Sequence, residues 1–380
     1  MMLVFSMSLE TGMGFYLSKG KINAGQLGIL SIIWTLIILL IVSISYHFWG
    51  NLLGAYFSYH AKYVYAIAFI TGNLIITFFV ALFYAKLNFK TPHLILSSVQ
   101  LCMIIALLLP RFTSINVADN IYISTYFFSF PVSALVIACA FFYLHAKKSE
   151  ISWISLQQFK QLVQFSFFAF LINVLTFLFK KVDLLIVQLY CSADALGNYI
   201  QVNKLSQMMY LLPVILSGAL FPMTAGGMQI EVNKKIQELS RGLIAFYLLV
   251  GLFIATTGYF LFPMLLGMSF NKMYLPFLIA FPGVIAYSLA HLLAAYNSGR
   301  NMLFVNFKAI ALSTLITLIA NVIFTPKWEL LAAASISSIS SIVYFIYLFQ
   351  RYRRESRFEL SSFFMIRSSD LMKLMPWKRI

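Results

Sequence analysis

Lys180, Lys181 and Asp183 stand within one turn of a predicted helix, in a stretch that is otherwise apolar, and Lys204 stands on the next helix. Lys180 and Asp183 are spaced i, i+3, so they can pair on one helix face. Asn173 precedes Lys180 by two turns on nearly the same face, and the following helix carries Asn198, Gln201, Asn203, Lys204 and Gln207 as a broad polar stripe. At the centre of a lipid-spanning helix each charge costs about 2.5–3.5 kcal/mol on insertion scales, so each needs a partner or a wet cavity. One reading makes this patch the wall of a water-filled cavity that accepts an anionic substrate. The other makes it a pair of lysines reaching the membrane interface beside a structural ion pair.

Other ionisable groups give less. Glu10 lies in an apolar N-terminal segment, where it reads either as a proton or sodium site or as a solvated residue at a frayed end. His291 sits in an apolar run with Tyr287 one turn earlier and reads as a hydrogen-bonded packing residue rather than a catalyst. His47, His60, His93 and His145 fall at the ends of apolar runs, and neither they nor Cys102, Cys139 and Cys191 have metal-ligand spacing. A phosphate-cradling Gly-Lys-Ser/Thr loop, a Ser/His/Asp set and a carboxylate pair are all missing, so no catalytic residue, cofactor or metal is expected.

The elements that hold these residues follow from composition. Of the 380 residues, 61% are hydrophobic and 10% charged, with a mean hydropathy of +0.89. A soluble chain is roughly a quarter charged. So little polar material cannot cover a water-facing surface, and lipid must solvate most of the chain. Apolar runs near the ~20 residues that span a hydrocarbon core recur at 26–48, 63–85, 92–110, 120–144, 160–190, 196–222, 242–264, 276–297, 303–323 and 329–349. Residues 2–16 add a partial segment. The expected fold is all-α and integral to the membrane, with ten full transmembrane helices and a partial N-terminal one. Pro131, Pro213 and Pro282 fall inside spans, where they act as packing kinks or as hinges.

The net charge of +16 is read through its distribution. Lys19 and Lys21, Lys86 and Lys90, Lys147 and Lys148, then Lys234, Lys235, Arg241 and Arg300 fall in alternate loops. They share a side with a tail carrying Arg351, Arg353, Arg354, Arg357, Arg367, Lys373, Lys378 and Arg379. The opposite loops hold single cations, Lys62, Arg111, Lys272 and Lys327. By the positive-inside rule the tail is cytoplasmic. The basic residues meet anionic headgroups, and nucleic acid is not a partner. A polar gap at 145–159 and a loose repeat between 9–15 and 216–222 suggest a lobe at 1–148, a six-helix lobe at 149–350 and a basic tail at 351–380.

The stretch from 160 to 226 carries a resemblance. It reads Lys181-Val182-Asp183 before an aliphatic run, then Gly197-Asn198-Tyr199, Leu212-Pro213 and Phe221-Pro222. Ser298-Gly299-Arg300, Asn321 with Pro326, the Ala332–Ala334 run, and Arg367 with Asp370 follow in order. This pattern resembles the Wzx-type polysaccharide flippases of the multidrug/oligosaccharidyl-lipid/polysaccharide (MOP) exporter superfamily. The resemblance implies two lobes around a central cationic cavity, working by alternating access in the bacterial cytoplasmic membrane. It implies translocation of an undecaprenyl-pyrophosphate-linked oligosaccharide for surface polysaccharide such as O-antigen or capsule, with a polysaccharide polymerase and a chain-length regulator as further partners. Lys180, Lys181 and Lys204 would meet the pyrophosphate. Asn173, Asn198 and Gln201 would meet sugar, and Asp183 or Glu10 would couple to an ion. The chain departs from the family pattern in lacking the first helix and part of the second, and in placing Trp328-Glu329 where an aromatic-Gly turn is usual.

Three other readings stand beside this one. A multidrug-type cation antiporter of the same superfamily would need more intramembrane acids than lysines, the reverse of what is present. A membrane-embedded polymerase or acyltransferase would need a large outer loop, or a histidine with a partner at a lipid-facing cleft. A truncated, non-functional remnant would share every feature above.

Overall fold

The computed structural model describes residues 2–53, 60–112, 119–146, 152–356 and 360–365. The expected cations Lys147 and Lys148, and Arg357, Arg367, Lys373, Lys378, Arg379 and Asp370 of the tail, lie outside the described residues. The elements are α1 (Met2–Ser6), α2 (Leu9–Ser18), α3 (Ala24–Leu53), α4 (His60–Ala85), α5 (Lys90–Phe112), α6 (Asp119–His145), α7 (Leu156–Tyr190), α8 (Ala193–Met209), α9 (Leu211–Ala225), α10 (Gln229–Leu266), α11 (Tyr274–Gly299), α12 (Leu303–Ser356) and α13 (Leu360–Phe364). Among the described residues nine helical stretches are long and apolar enough to cross a membrane.

The ninth stretch contains two crossings, which restores the expected ten. α12 has 54 residues and unbroken would reach about 81 Å at 1.5 Å per residue, against a hydrocarbon core of about 30 Å. It breaks at Glu329, whose φ of 45° and ψ of −127° are not helical, three residues after Pro326. Positive φ is a conformation that glycine, lacking a Cβ, adopts without the clash a glutamate carries.

Two other breaks have local causes. The N-terminal segment is not one helix: Met7 and Ser8 take positive φ, and the Ser8 N–H is claimed by Ser6 Oγ (3.2 Å). A short hydroxyl side chain here competes with the helix ladder. The 196–222 span is divided at Tyr210 into α8 and α9. Pro213 has no N–H for the carbonyl of Met209, and the Tyr247 hydroxyl donates to that carbonyl instead (2.8 Å). Ser288 Oγ in turn donates to the Tyr247 oxygen (3.0 Å).

The chain forms two compact units, Met1–Phe170 and Leu171–Ile380, and the division falls inside α7. In the first, α4 packs against α2, α3 and α6, burying Phe78, Phe79, Leu82 and Phe83. Gly72 of α4 lets Phe130 approach so closely that an added Cβ would lie 2.6 Å from its backbone carbon. In the second, α11 is central and contacts α9, α10 and α12. Small residues make that approach possible: Ala280, Gly283 and Ala290 on α11 and Ala333, Ala334, Ser340 and Ser341 on α12 are buried. This is how membrane helices associate, since lipid offers no hydrophobic drive between them. The opposite faces of the helices expose large apolar residues, among them Leu36, Leu40, Leu248 and Leu252, as lipid-facing surfaces must.

Candidate functional site

The second half of α7 carries Lys180 toward α9 and α11 within the second unit. Its Nζ lies 4.9 Å from the ring centre of Tyr287 and 5.3 Å from that of Tyr210. Both rings are held from several sides. Tyr287, buried at 2% exposure, stacks on Phe179 at 5.9 Å, meets Tyr210 at 4.7 Å, and neighbours Tyr344 and His291 at 5.9 Å each. His291 Nδ1 and Ser217 Oγ are hydrogen bonded (3.2 Å). Tyr210 occupies the α8–α9 break, so the backbone consequence of Pro213 also sets the ring that Lys180 covers. An aromatic face attracts a cation by about 0.5–2 kcal/mol depending on desolvation. Unlike a carboxylate, it leaves the lysine's positive charge uncancelled.

Asp183 does not pair with Lys180. Its carboxylate is 3% exposed and turns to α8, where the Tyr199 hydroxyl donates to Oδ2 (2.7 Å). The Leu184 N–H donates to Oδ1 (2.7 Å), and Asn203 adjoins the same group. The i, i+3 spacing allowed a lysine partner. The neighbouring helix supplies a better one, because Tyr199 is itself 2% exposed and its hydroxyl needs an acceptor. Asp183 therefore joins α7 to α8, and among the described residues Lys180 meets no carboxylate.

The remaining expected residues are spread out. Lys181 is half-buried beside Lys180, and Asn173 is half-buried two turns earlier on α7. Lys204 is exposed and Gln201 half-buried on α8, and among the described residues no hydrogen bond, ion pair or ring contact joins either to the Lys180 cluster. Asn198 is 1% exposed and fastens the start of α8: its amide donates to the Asp194 carbonyl (3.0 Å) and to the Ser269 carbonyl (3.0 Å). Asp194 also pairs with Lys272 (2.7 Å). Glu10 belongs to the first unit, on α2. Its Oε2 is buried and meets no hydrogen-bond donor among the described residues, with Ser6 beside the carboxyl group. Among the described residues no three His, Cys, Asp or Glu side chains gather as a metal site.

The residues that composition hid are Tyr199, Tyr210, Tyr287 and Tyr344. With 38 Phe and 21 Tyr in the chain, residue type alone does not mark them. The sequence signals were Tyr199 in the Gly197-Asn198-Tyr199 pattern, Tyr287 one turn before His291, and Pro213, a kink or hinge close to Tyr210.

Solved structures share the architecture. A mutant of the Vibrio cholerae MATE transporter VcmN superposes with a TM-score of 0.76 at 13% identity, covering 95% of this chain and 87% of that one. A MOP superfamily transporter from Pyrococcus furiosus gives 0.68 at 13% identity, with 93% and 84% covered. The MATE transporter ClbM, solved with Rb+, gives 0.69 at 11% identity, with 100% and 87% covered. At such identities the likeness shows the fold alone. No curated protein matches the sequence. The sequence profile described as polysaccharide biosynthesis protein matches residues 7–228, more than half of the chain. An all-helical membrane architecture, the MOP transporter fold and this profile agree, and the chain belongs to the polysaccharide biosynthesis protein family.

Proposed function

We propose that this membrane exporter translocates a lipid-linked oligosaccharide, carried on undecaprenyl pyrophosphate, across the bacterial cytoplasmic membrane by alternating access. The observation that carries the reading is Lys180, held on the faces of Tyr210 and Tyr287 with no carboxylate among the described residues to cancel it. A pyrophosphate is drawn to such a charge strongly where the dielectric is low. The adjoining aromatic faces suit the apolar faces of sugar rings.

Lys180 and Lys181 form the anion site in this account, and the exposed Lys204 adds a second contact along the path. Asn173 and Gln201 offer hydrogen bonds to sugar. Asn198 is 1% exposed and its amide nitrogen fastens α8, so it is left out of the substrate set. Asp183 serves as the joint between α7 and α8. Glu10, with a buried and unbonded oxygen, is the proposed site for a coupling proton or small cation. A cation antiporter fits less well, since its substrate would meet a lysine.

Reconstitution tests the reading. Purified protein is placed in liposomes with a fluorescent undecaprenyl-pyrophosphate glycan, and the fraction reachable by a membrane-impermeant quencher is followed in time. Movement of the pyrophosphate-linked glycan, with no movement of a cationic dye under the same gradients, is expected. Transport of the dye alone would overturn the proposal.

A further inference from the structure

The two halves of α12, 303–328 and 330–356, run antiparallel and carry a cluster of cations outside the site described above. Where the start of the first half meets the end of the second, a cavity of about 300 Å³ is lined by Phe304, Lys308, Tyr347, Arg351 and Arg354. Lys308 Nζ lies 4.5 Å from the Phe304 ring centre. Arg351 pairs with Glu355 (3.0 Å), and Glu355 is shared with Arg300. Lys308 and Arg354 meet no carboxylate among the described residues. Counting Arg300, Lys308, Arg351 and Arg354 against Glu355, the cluster holds three positive charges in excess.

An apolar continuation lies on the same helix pair. A groove of about 470 Å³ is lined by Ile316, Ala320, Leu331 and Ile339, with Phe324 and Trp328 at its far end. Ile316 follows Lys308 by two turns, about 12 Å along the axis. Leu312 and Leu315, both exposed, lie between them.

We infer that this face binds one anionic phospholipid of the surrounding bilayer, its phosphate on Lys308, Arg351 and Arg354 and its acyl chains along the groove. The charge excess selects the headgroup, and the apolar groove selects a ligand with chains over a soluble anion. Lys308 lies in the second turn of its helix and Arg351 and Arg354 in the last turns of theirs, the level at which headgroups sit. Cations near a membrane surface attract anionic lipid even without a pocket, so the test must separate the pocket from charge alone.

Native mass spectrometry of the full chain, equilibrated with mixed phosphatidylglycerol and phosphatidylcholine, measures the selectivity for the retained lipid. The wild type is expected to prefer phosphatidylglycerol. Removing two of the cations that line the cavity in K308Q/R354Q should reduce that preference about tenfold or more, at roughly 1 kcal/mol for each cation that meets the headgroup. Arg353→Gln removes an exposed cation of the same turn that does not line the cavity, and should leave the preference intact. Ala320→Trp fills the groove and should weaken retention of both lipids. Unchanged selectivity in K308Q/R354Q, or an equal loss in Arg353→Gln, would overturn the inference. Displacement of the lipid by millimolar glycerol phosphate would assign the cavity to a soluble anion and overturn it as well.

Discussion

Removing the Tyr199 hydroxyl isolates the joint between α7 and α8. The bond to Asp183 is 2.7 Å long, and its two residues are 2% and 3% exposed, so water replaces neither partner. Hydrogen bonds to charged groups contribute about 1.5–3 kcal/mol in folded proteins. Those measured within membranes average about 0.6 and reach about 1.7 kcal/mol, because a loosened chain finds other partners in the bilayer. Full burial puts this one toward the upper end, at about 1–2 kcal/mol. The assay is a double-mutant cycle of Tyr199→Phe and Asp183→Ala, followed by reversible unfolding in mixed micelles. Each single change also alters packing or charge, and the cycle removes those parts and leaves the coupling. Asp183→Asn keeps an acceptor and should keep roughly half of that coupling, as a neutral bond is about half as strong as a charge-assisted one. A coupling below about 0.3 kcal/mol, within the scatter of independent sites, would refute the joint.

Three further outcomes follow from single positions. Glu329→Gly should raise stability by about 1 kcal/mol in the same unfolding assay, since a non-glycine residue with φ of 45° carries strain of about 1–3 kcal/mol, partly offset by glycine's greater freedom when unfolded. Gly283→Ala should destabilise by about 1–3 kcal/mol, as overpacking does, because the new Cβ would stand 2.5 Å from the Ser338 Cα. An equal substitution at Gly242, where nothing lies within 4 Å, serves as its control. Glu10→Gln should uncouple transport from its ion gradient while leaving exchange between lipid leaflets at equilibrium. Gradient-driven accumulation unchanged in that variant would remove Glu10 from the coupling role.

Much of the fold was legible because lipid imposes a simple rule. Runs of ~20 apolar residues marked every crossing, including the two that share α12. Pro213 was legible as a kink or hinge inside a single 196–222 span, where the structure has two helices, and the departure at Trp328-Glu329 falls on the turn where Glu329 has positive φ. The site was legible only in part. Lys180 stood out as a charge in an apolar run, but its neighbours Tyr210 and Tyr287 are 77 positions apart, and only tertiary packing brings them together. Asp183 illustrates the limit of spacing arguments. The i, i+3 rule offered Lys180, yet burial of Tyr199 on the next helix created an acceptor need that no local pattern encodes. Asn198 shows a similar limit. Its polar stripe suggested a wet face, while Ser269, 71 residues on, makes it a structural fastening.

The claim that Lys180 is the anion-binding charge is tested most directly by surface polysaccharide export in a strain lacking the gene, complemented with Lys180→Met, Lys180→Arg or the wild type at matched membrane levels. Lys180→Met keeps most of the unbranched side chain beside Tyr210 and Tyr287 but carries no charge, so export should fall by at least tenfold. Lys180→Arg, which still covers an aromatic face with a cation, should retain a substantial part. Wild-type export from Lys180→Met would contradict the account at its centre.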